Sequence, residues 1–221
     1  WKLIPGSPLV LAANRDEFYA RPTQRAGWWQ DYPHVYAGRD LQAGGTWLGI
    51  NRQGRFAGLT NIRDGNGKSG SAPTRGALVA EYLQGELDAE TYLQKLSRDA
   101  KHYQGFNLIL GDASNIYWFS NQGGVTLQSL EPGIYGISNG SLDTPWPKVV
   151  RAKAQFASLL CQAAPDDAYF EMLADNTRPP DHRLPQTGVS LEWERLLSSI
   201  CIDSQDYGTR VSSLVRIHDH N

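Results

Sequence analysis

Hydrophobic and polar positions alternate with two different periods along this chain. Residues 2–4, the turn "PGSP" (5–8) and residues 9–13 read as a β-hairpin around a Pro/Gly turn. "GGTWLGIN" (44–51), "RQG" and "RFAGLTN" (55–61) read as a second hairpin. Helical spacing follows. "TRGALVAEYL" (74–83) has Thr74 as candidate N-cap. "DAETYLQKLSRDA" (88–100) has Asp88 as N-cap and Ala89, Leu93, Leu96 and Ala100 on one face. Period two then returns in 106–111, 115–120, 125–130 and 133–139, split by short polar or Gly/Pro turns, which predicts a four-strand antiparallel meander. Val149, Ala152, Phe156 and Leu160 mark an amphipathic helix over 147–160. A shorter helix (166–175), a Pro-rich loop (176–190), a partly helical stretch (191–200) and a last strand (209–217) complete the chain. Strands and helices come in blocks, not in regular βαβ alternation, so an α+β fold of two mostly antiparallel sheets flanked by helices is predicted.

Composition narrows the function. The chain has 221 residues, 40% of them hydrophobic, enough for one core-bearing domain without disulfide staples. A net charge of −2 gives no electrostatic footprint for nucleic acid or anionic membrane. No apolar run has membrane-spanning length, and a cytoplasmic location is expected. Cys161 and Cys201 are the only cysteines, and both are expected to be buried and inert. The polar stretch 62–73 contains "DGNGKSG", which lacks P-loop spacing. "HDHN" (218–221) offers two histidines, too few for a coordination sphere. No metal and no cofactor are expected. Trp28, Trp29, Trp47 and Trp146 stand beside polar, Gly or Pro residues, as core packing or as the wall of an aromatic pocket.

Three strand exits carry polar groups. Residues 9–13 run into Asn14, Arg15, Asp16 and Glu17; 56–60 run into Asn61 and Arg63; 134–138 run into Asn139. Each is an ordinary asparagine turn or part of an oxyanion site of amide donors. If the first hairpin pairs about Gly6–Ser7, the partners of Asn14–Asp16 fall just before Trp1. The chain starts at Trp1 without methionine, and a few native residues are expected ahead of it.

"AANRDEFYARP" (12–22), "GRDLQAGGTWLGIN" (38–51), "GLTNIR" (58–63), "ISNGSLDTPWPKV" (137–149) and "YGTR" (207–210) together resemble the NRDE, or transport-and-Golgi-organisation, family across nearly the whole chain. That family is similar to N-terminal-nucleophile (Ntn) hydrolases of the choloylglycine hydrolase and penicillin V acylase type. The resemblance implies a single domain with a four-layer αββα sandwich, and a cysteine nucleophile freed by removal of an initial methionine. By position, Asp16 would hold the terminal amine, Asn61 and Asn139 would be oxyanion donors, and Arg210 would lower the thiolate pKa. Asn14 matches a structural Asn of the hydrolase motif. Ala13 stands where those hydrolases carry Arg, and Arg15 is additional. Asn14, Arg15, Trp47 and Arg63 are the expected ligand-binding residues. The implied activity is a cysteine-type amidohydrolase or acyltransferase for a small non-peptide amide or acyl compound. The alternative is a non-catalytic carrier of an acyl lipid, a CoA conjugate or a haem-like ligand.

Overall fold

A computed structural model describes residues 1–63 and 72–219. The P-loop-like stretch and the end of the "HDHN" tail lie outside the described residues. Seven strands form one antiparallel sheet in chain order: β2 (Thr23–Trp28), β3 (Val35–Asp40), β4 (Leu48–Asn51), β5 (Phe56–Asn61), β6 (Phe106–Gly111), β7 (Ile116–Ser120) and β8 (Thr126–Ser129). A second sheet has two long antiparallel strands, β1 (Leu9–Phe18) and β9 (Tyr207–Ile217), paired from Leu9↔Ile217 to Phe18↔Tyr207. The helices are α1 (Gly76–Gln84), α2 (Ala89–Asp99), α3 (Pro147–Cys161), α4 (Asp166–Leu173) and α5 (Leu191–Leu196).

Period-two alternation builds two cores from one sheet. On β6, Phe106, Leu108 and Leu110 point to α1 and α2, where they meet Leu78, Leu83 and Leu93. Its alternate residue Ile109 joins Leu9, Phe56, Ile116 and Trp118 between the two sheets. On the far side, α4 packs on β9 and β1, and α3 packs on α4 through the edge-on Phe156–Tyr169 pair. The layers run α3/α4, β1–β9, seven-stranded sheet, α1/α2, the expected αββα order. Among the described residues no helix is long and apolar enough to cross a membrane.

Local signals held where their physics is local. The 44–61 hairpin is β4–β5. Asp88 caps α2 by accepting from the Thr91 amide at 2.9 Å. Thr74 does not cap α1, whose N-cap position is Arg75 without a side-chain bond.

Three expectations are corrected. First, residues 1–13 form only the tip of the expected hairpin, and β1 lies in a different sheet from β4 and β5. Pro5 and Pro8 have no N–H to continue a ladder, so pairing before β1 is limited to the Ile4↔Ser7 bridge and a Lys2 N–H to Pro8 O bond of 2.7 Å. β1 pairs with β9, where Asn14, Arg15 and Asp16 oppose Ser212, Val211 and Thr209. Second, Asn14–Glu17 are not a strand exit: β1 continues through them to Phe18. Third, 133–139 is not a fourth meander strand. It is an irregular segment tied to Trp1 and Asp143, and it passes so close to α3 that a Cβ on Gly136 would lie 2.7 Å from Val149 Cγ1.

The loop before β4 is clamped against the start of α1. Thr46 N–H donates to Gly76 O at 3.1 Å, and a Cβ on Gly45 would meet the Gly76 carbonyl carbon at 2.4 Å. Gly45→Ala is therefore expected to destabilise the fold by about 1–3 kcal/mol through backbone displacement. Urea denaturation reads this, and an unchanged midpoint would mean the loop yields freely.

Candidate functional site

The run Asn14–Glu17 is tolerated inside a strand because its first three members find partners on remote elements. Asn14 Nδ2 donates to Leu173 O (2.7 Å) and Ile200 O (3.0 Å), and its Oδ1 accepts from Ser212 Oγ at 2.7 Å. It pins the end of α4 and the 197–202 segment to β1; both amide hydrogens are used, and Oδ1 keeps one acceptor position. Arg15 stacks on Trp47, 4.2 Å from the ring centre, and is only 9% exposed. Asp16 accepts from Thr209 Oγ1 at 2.5 Å. Glu17 lies 3.6 Å from Arg15 and 3.7 Å from Arg21. The register shifts between Arg15↔Val211 and Asp16↔Thr209, which leaves Arg210 of β9 as the extra, bulged residue. Arg15 and Asp16 both line one cavity.

That cavity, of about 660 Å³, is bounded by β1, the facing side of the larger sheet, segment 133–139 and the inner side of α3. Leu9, Leu11, Ile109, Ile137, Val149 and Phe156 give it an apolar stretch. A strand rises about 3.3 Å per residue, so the seven steps from Leu9 to Asp16 carry β1 roughly 20 Å from that stretch to a polar end. The polar end collects Asp16, Asn61, Asn139, Lys148 and Tyr207.

Two of the predicted asparagines meet there. Asn139 Nδ2 donates to Asn61 O at 2.8 Å, and the Arg63 N–H donates to Asn139 O at 2.8 Å. Arg63 is not in the cavity lining. Its guanidinium orients Asn139 by donating to Oδ1 at 3.2 Å, and it pairs with Glu194 at 3.1 Å. Glu194, 4% exposed, also accepts from the Thr187 N–H (2.8 Å) and Oγ1 (2.6 Å). Arg210 is likewise outside the lining, where its guanidinium donates to the carbonyls of Phe18 and Arg21. Cys161 is exposed at the end of α3, contrary to the expected burial, and Cys201 is half-buried. Neither lines the cavity.

The group that the sequence reading missed is Lys148. It follows Pro147 at the start of α3, and its ammonium donates to Leu197 O at 2.9 Å. Among the described residues no carboxylate lies within ion-pair distance of it. Helical spacing held the signal, since 148, 152 and 156 form one i, i+4, i+8 stripe with Ala152 and Phe156. Burial pushes the Lys148 pKa down to about 8, with Arg63 adding to the fall and Asp16 and Glu194 opposing it. Burial also raises the Asp16 pKa, against the Thr209 bond and the nearby cations. Tyr207 is pushed up to about 12, first by burial and then by Asp16 and Glu17.

The Lys148 shift has a stability consequence. Its folded pKa lies below the unfolded value near 10.5, so between about 8 and 10.5 the unfolded chain holds the extra proton. Stability from this group therefore rises with pH across that window, and below it the buried charge is a penalty. Lys148→Met is expected to stabilise the protein at pH 7 by about 1–3 kcal/mol, after allowing for partial solvent screening. The gain should shrink towards pH 10.5. A gain that is constant with pH in chemical denaturation would rule out the charge as its origin.

The chain is similar in sequence to known proteins along its whole length. A family model described as Transport and Golgi organisation 2 matches residues 1–221. The Transport and Golgi organization protein 2 homolog of Homo sapiens is 35% identical over 226 residues, covering 95% of this chain and 82% of the relative. The Drosophila melanogaster Transport and Golgi organization protein 2 is 32% identical over 244 residues, covering 98% and 84%. Among solved structures, penicillin V acylase from Agrobacterium tumefaciens aligns at 16% identity and a TM-score of 0.32, covering 73% of this chain and 51% of that one.

Proposed function

We propose that this chain, which belongs to the Transport and Golgi organisation 2 family, binds a small acyl or amide compound in the cavity beneath β1, with the carbonyl at the polar end. We further propose that it acts there as a cysteine-type amidohydrolase or acyltransferase. The observation that carries the reading is the graded cavity. One strand leads from an apolar stretch to a cluster in which a carboxylate, an amine and two amides face a common space.

The chemistry follows from what acyl transfer needs. Attack on the acyl carbon builds negative charge on the carbonyl oxygen, which preorganised donors stabilise. Asn61 Nδ2 makes no hydrogen bond to a described residue, and Asn139 Nδ2 keeps one hydrogen beyond the one it gives to Asn61 O. The Lys148 ammonium adds positive charge at the same end. Asp16, desolvated and anchored by Thr209, is suited to hold the amine of the attacking residue and to pass its proton. In this reading the nucleophile is the cysteine that the family resemblance implies ahead of Trp1. Trp1 itself lines the cavity, and its nitrogen donates to Gly133 O at 2.9 Å.

A carrier reading draws on the length of the apolar stretch and on Asn14 and Arg63 being occupied with structural bonds. One experiment separates the two. Protein expressed from its native start is incubated with N-acyl amides and acyl-thioesters, and ligand, product and protein masses are followed. Release of free acid, or an acyl group on the N-terminal residue, is the expected result. Saturable binding with no turnover would favour the carrier, and neither binding nor turnover would sink both.

A further inference from the structure

Lys148 is a group for which acyl chemistry has only an electrostatic use. Its Nζ makes one hydrogen bond, to Leu197 O, and faces the cavity. The charged groups around it are Asp16 on β1, Arg63 after β5 and Glu194 on α5. Arg63 and Glu194 are paired with each other, which leaves Asp16 as the carboxyl group available to Lys148. From Lys148 the stripe continues through Ala152 to Phe156, both in the cavity wall, so an alkyl chain laid along α3 would end at the amine.

We propose that Lys148 is a carbonyl-reactive amine that forms an imine with an aliphatic aldehyde held in the cavity. The nitrogen lone pair adds to the aldehyde carbon, and a proton moves from nitrogen to oxygen to give the carbinolamine. Protonation of the hydroxyl by the carboxylic acid form of Asp16 lets it leave as water. Loss of the remaining N–H proton to the Asp16 carboxylate leaves the neutral C=N bond. One aldehyde and one amine become one imine and one water, with no oxidant or reductant needed.

The surroundings favour each step. An ammonium placed in a low-dielectric wall without a carboxylate contact is discharged readily, as amine nucleophiles of lysine require. The fall to about 8 agrees, and gives Lys148 on the order of 10² times more neutral amine at pH 7 than an ordinary exposed lysine. Burial raises the Asp16 pKa, which makes its acid form more accessible. The apolar stretch of the cavity favours the dehydrated product.

The inference needs no nucleophile ahead of Trp1, so failure of the acyl panel leaves it standing, and the reverse holds too. The test is to incubate the folded protein with hexanal and sodium cyanoborohydride, which reduces the imine to a stable secondary amine. Modified lysines are then located by peptide mass spectrometry from pH 6 to 10. Lys148 is expected to be modified at least about tenfold faster at pH 7 than exposed Lys95 and Lys101, in keeping with the larger neutral fraction. The preference should disappear in denaturant, and Lys148→Met should lose the fast phase. Modification of Lys148 no faster than Lys95 in the folded wild-type protein overturns the proposal. That comparison is internal to one sample and does not depend on any variant folding.

Discussion

Glu194→Ala is expected to lower the unfolding free energy by about 3–5 kcal/mol, the usual consequence of removing one partner from a buried ion pair. Glu194 is 4% exposed, and the Arg63 side chain is 11% exposed. Removal strands the guanidinium in a desolvated position and strips the Thr187 N–H and hydroxyl of their acceptor. A double Arg63→Met, Glu194→Met variant should recover a large part of the loss, since apolar replacement of a whole buried pair is tolerated better than breaking it. Chemical denaturation of both variants decides the matter, and equal stability of the single variant and wild type would show that the pair is solvated. The effect should reach the cavity. Arg63 holds Asn139 in place, so the Glu194 variant should also bind ligand more weakly, even where it remains folded.

Asp16→Asn is expected to act in the opposite sense on stability and on function. Burial raises the folded pKa of Asp16 above its ordinary value near 3.8. The sign follows by linkage: this contribution is fully present below the unfolded pKa and is lost as pH rises through the folded pKa. At pH 7 the ionised carboxylate is thus a net burden on the fold. The amide removes that burden while its oxygen still accepts from Thr209. The variant should melt at a higher temperature than wild type at pH 7, with the difference shrinking by pH 3. Turnover should nevertheless fall by at least about 10²-fold, the scale of a lost acid–base group. Glu17→Gln is the control, since Glu17 serves the Arg15 and Arg21 contacts beside the polar end. Matching losses of activity in the two variants would remove Asp16 from its proposed role.

What the sequence disclosed follows the range of the interactions. Asp88 with Thr91, the β4–β5 turn and the 166–173 helix are set by neighbours a few residues apart, and their patterns were legible. The pairing of β1 with β9 joins residues nearly 200 positions apart, and no local pattern announces it. For the same reason Asn14–Glu17 looked like a turn. Their polarity is compensated by Thr209, Leu173, Ile200 and Trp47, none of them local. β2 escaped notice because "TQRAGW" carries polar residues on a mostly exposed edge strand, with no buried face to impose alternation. β3 was missed because its buried face shows only two apolar positions, Val35 and Ala37, before Arg39. Segment 133–139 misled in the other direction. Tyr135 and Ile137 imitate a strand rhythm, whereas Gly136 between them allows close approach to α3. At the site, Asn61 and Asn139 were legible as a pair of polar chain ends, and the structure brings them into contact. Lys148 was overlooked because the helix was judged by its apolar members, although its spacing put the lysine on the same stripe.

A crystal structure with a bound N-acyl amide shows whether the carbonyl of an acyl compound sits at the polar end of this cavity. The carbonyl oxygen is expected within hydrogen-bond reach of Asn61 Nδ2, with the acyl chain running past Leu11, Ile137 and Phe156. A well-ordered ligand with its carbonyl among those apolar side chains, or bound outside the cavity altogether, would contradict it.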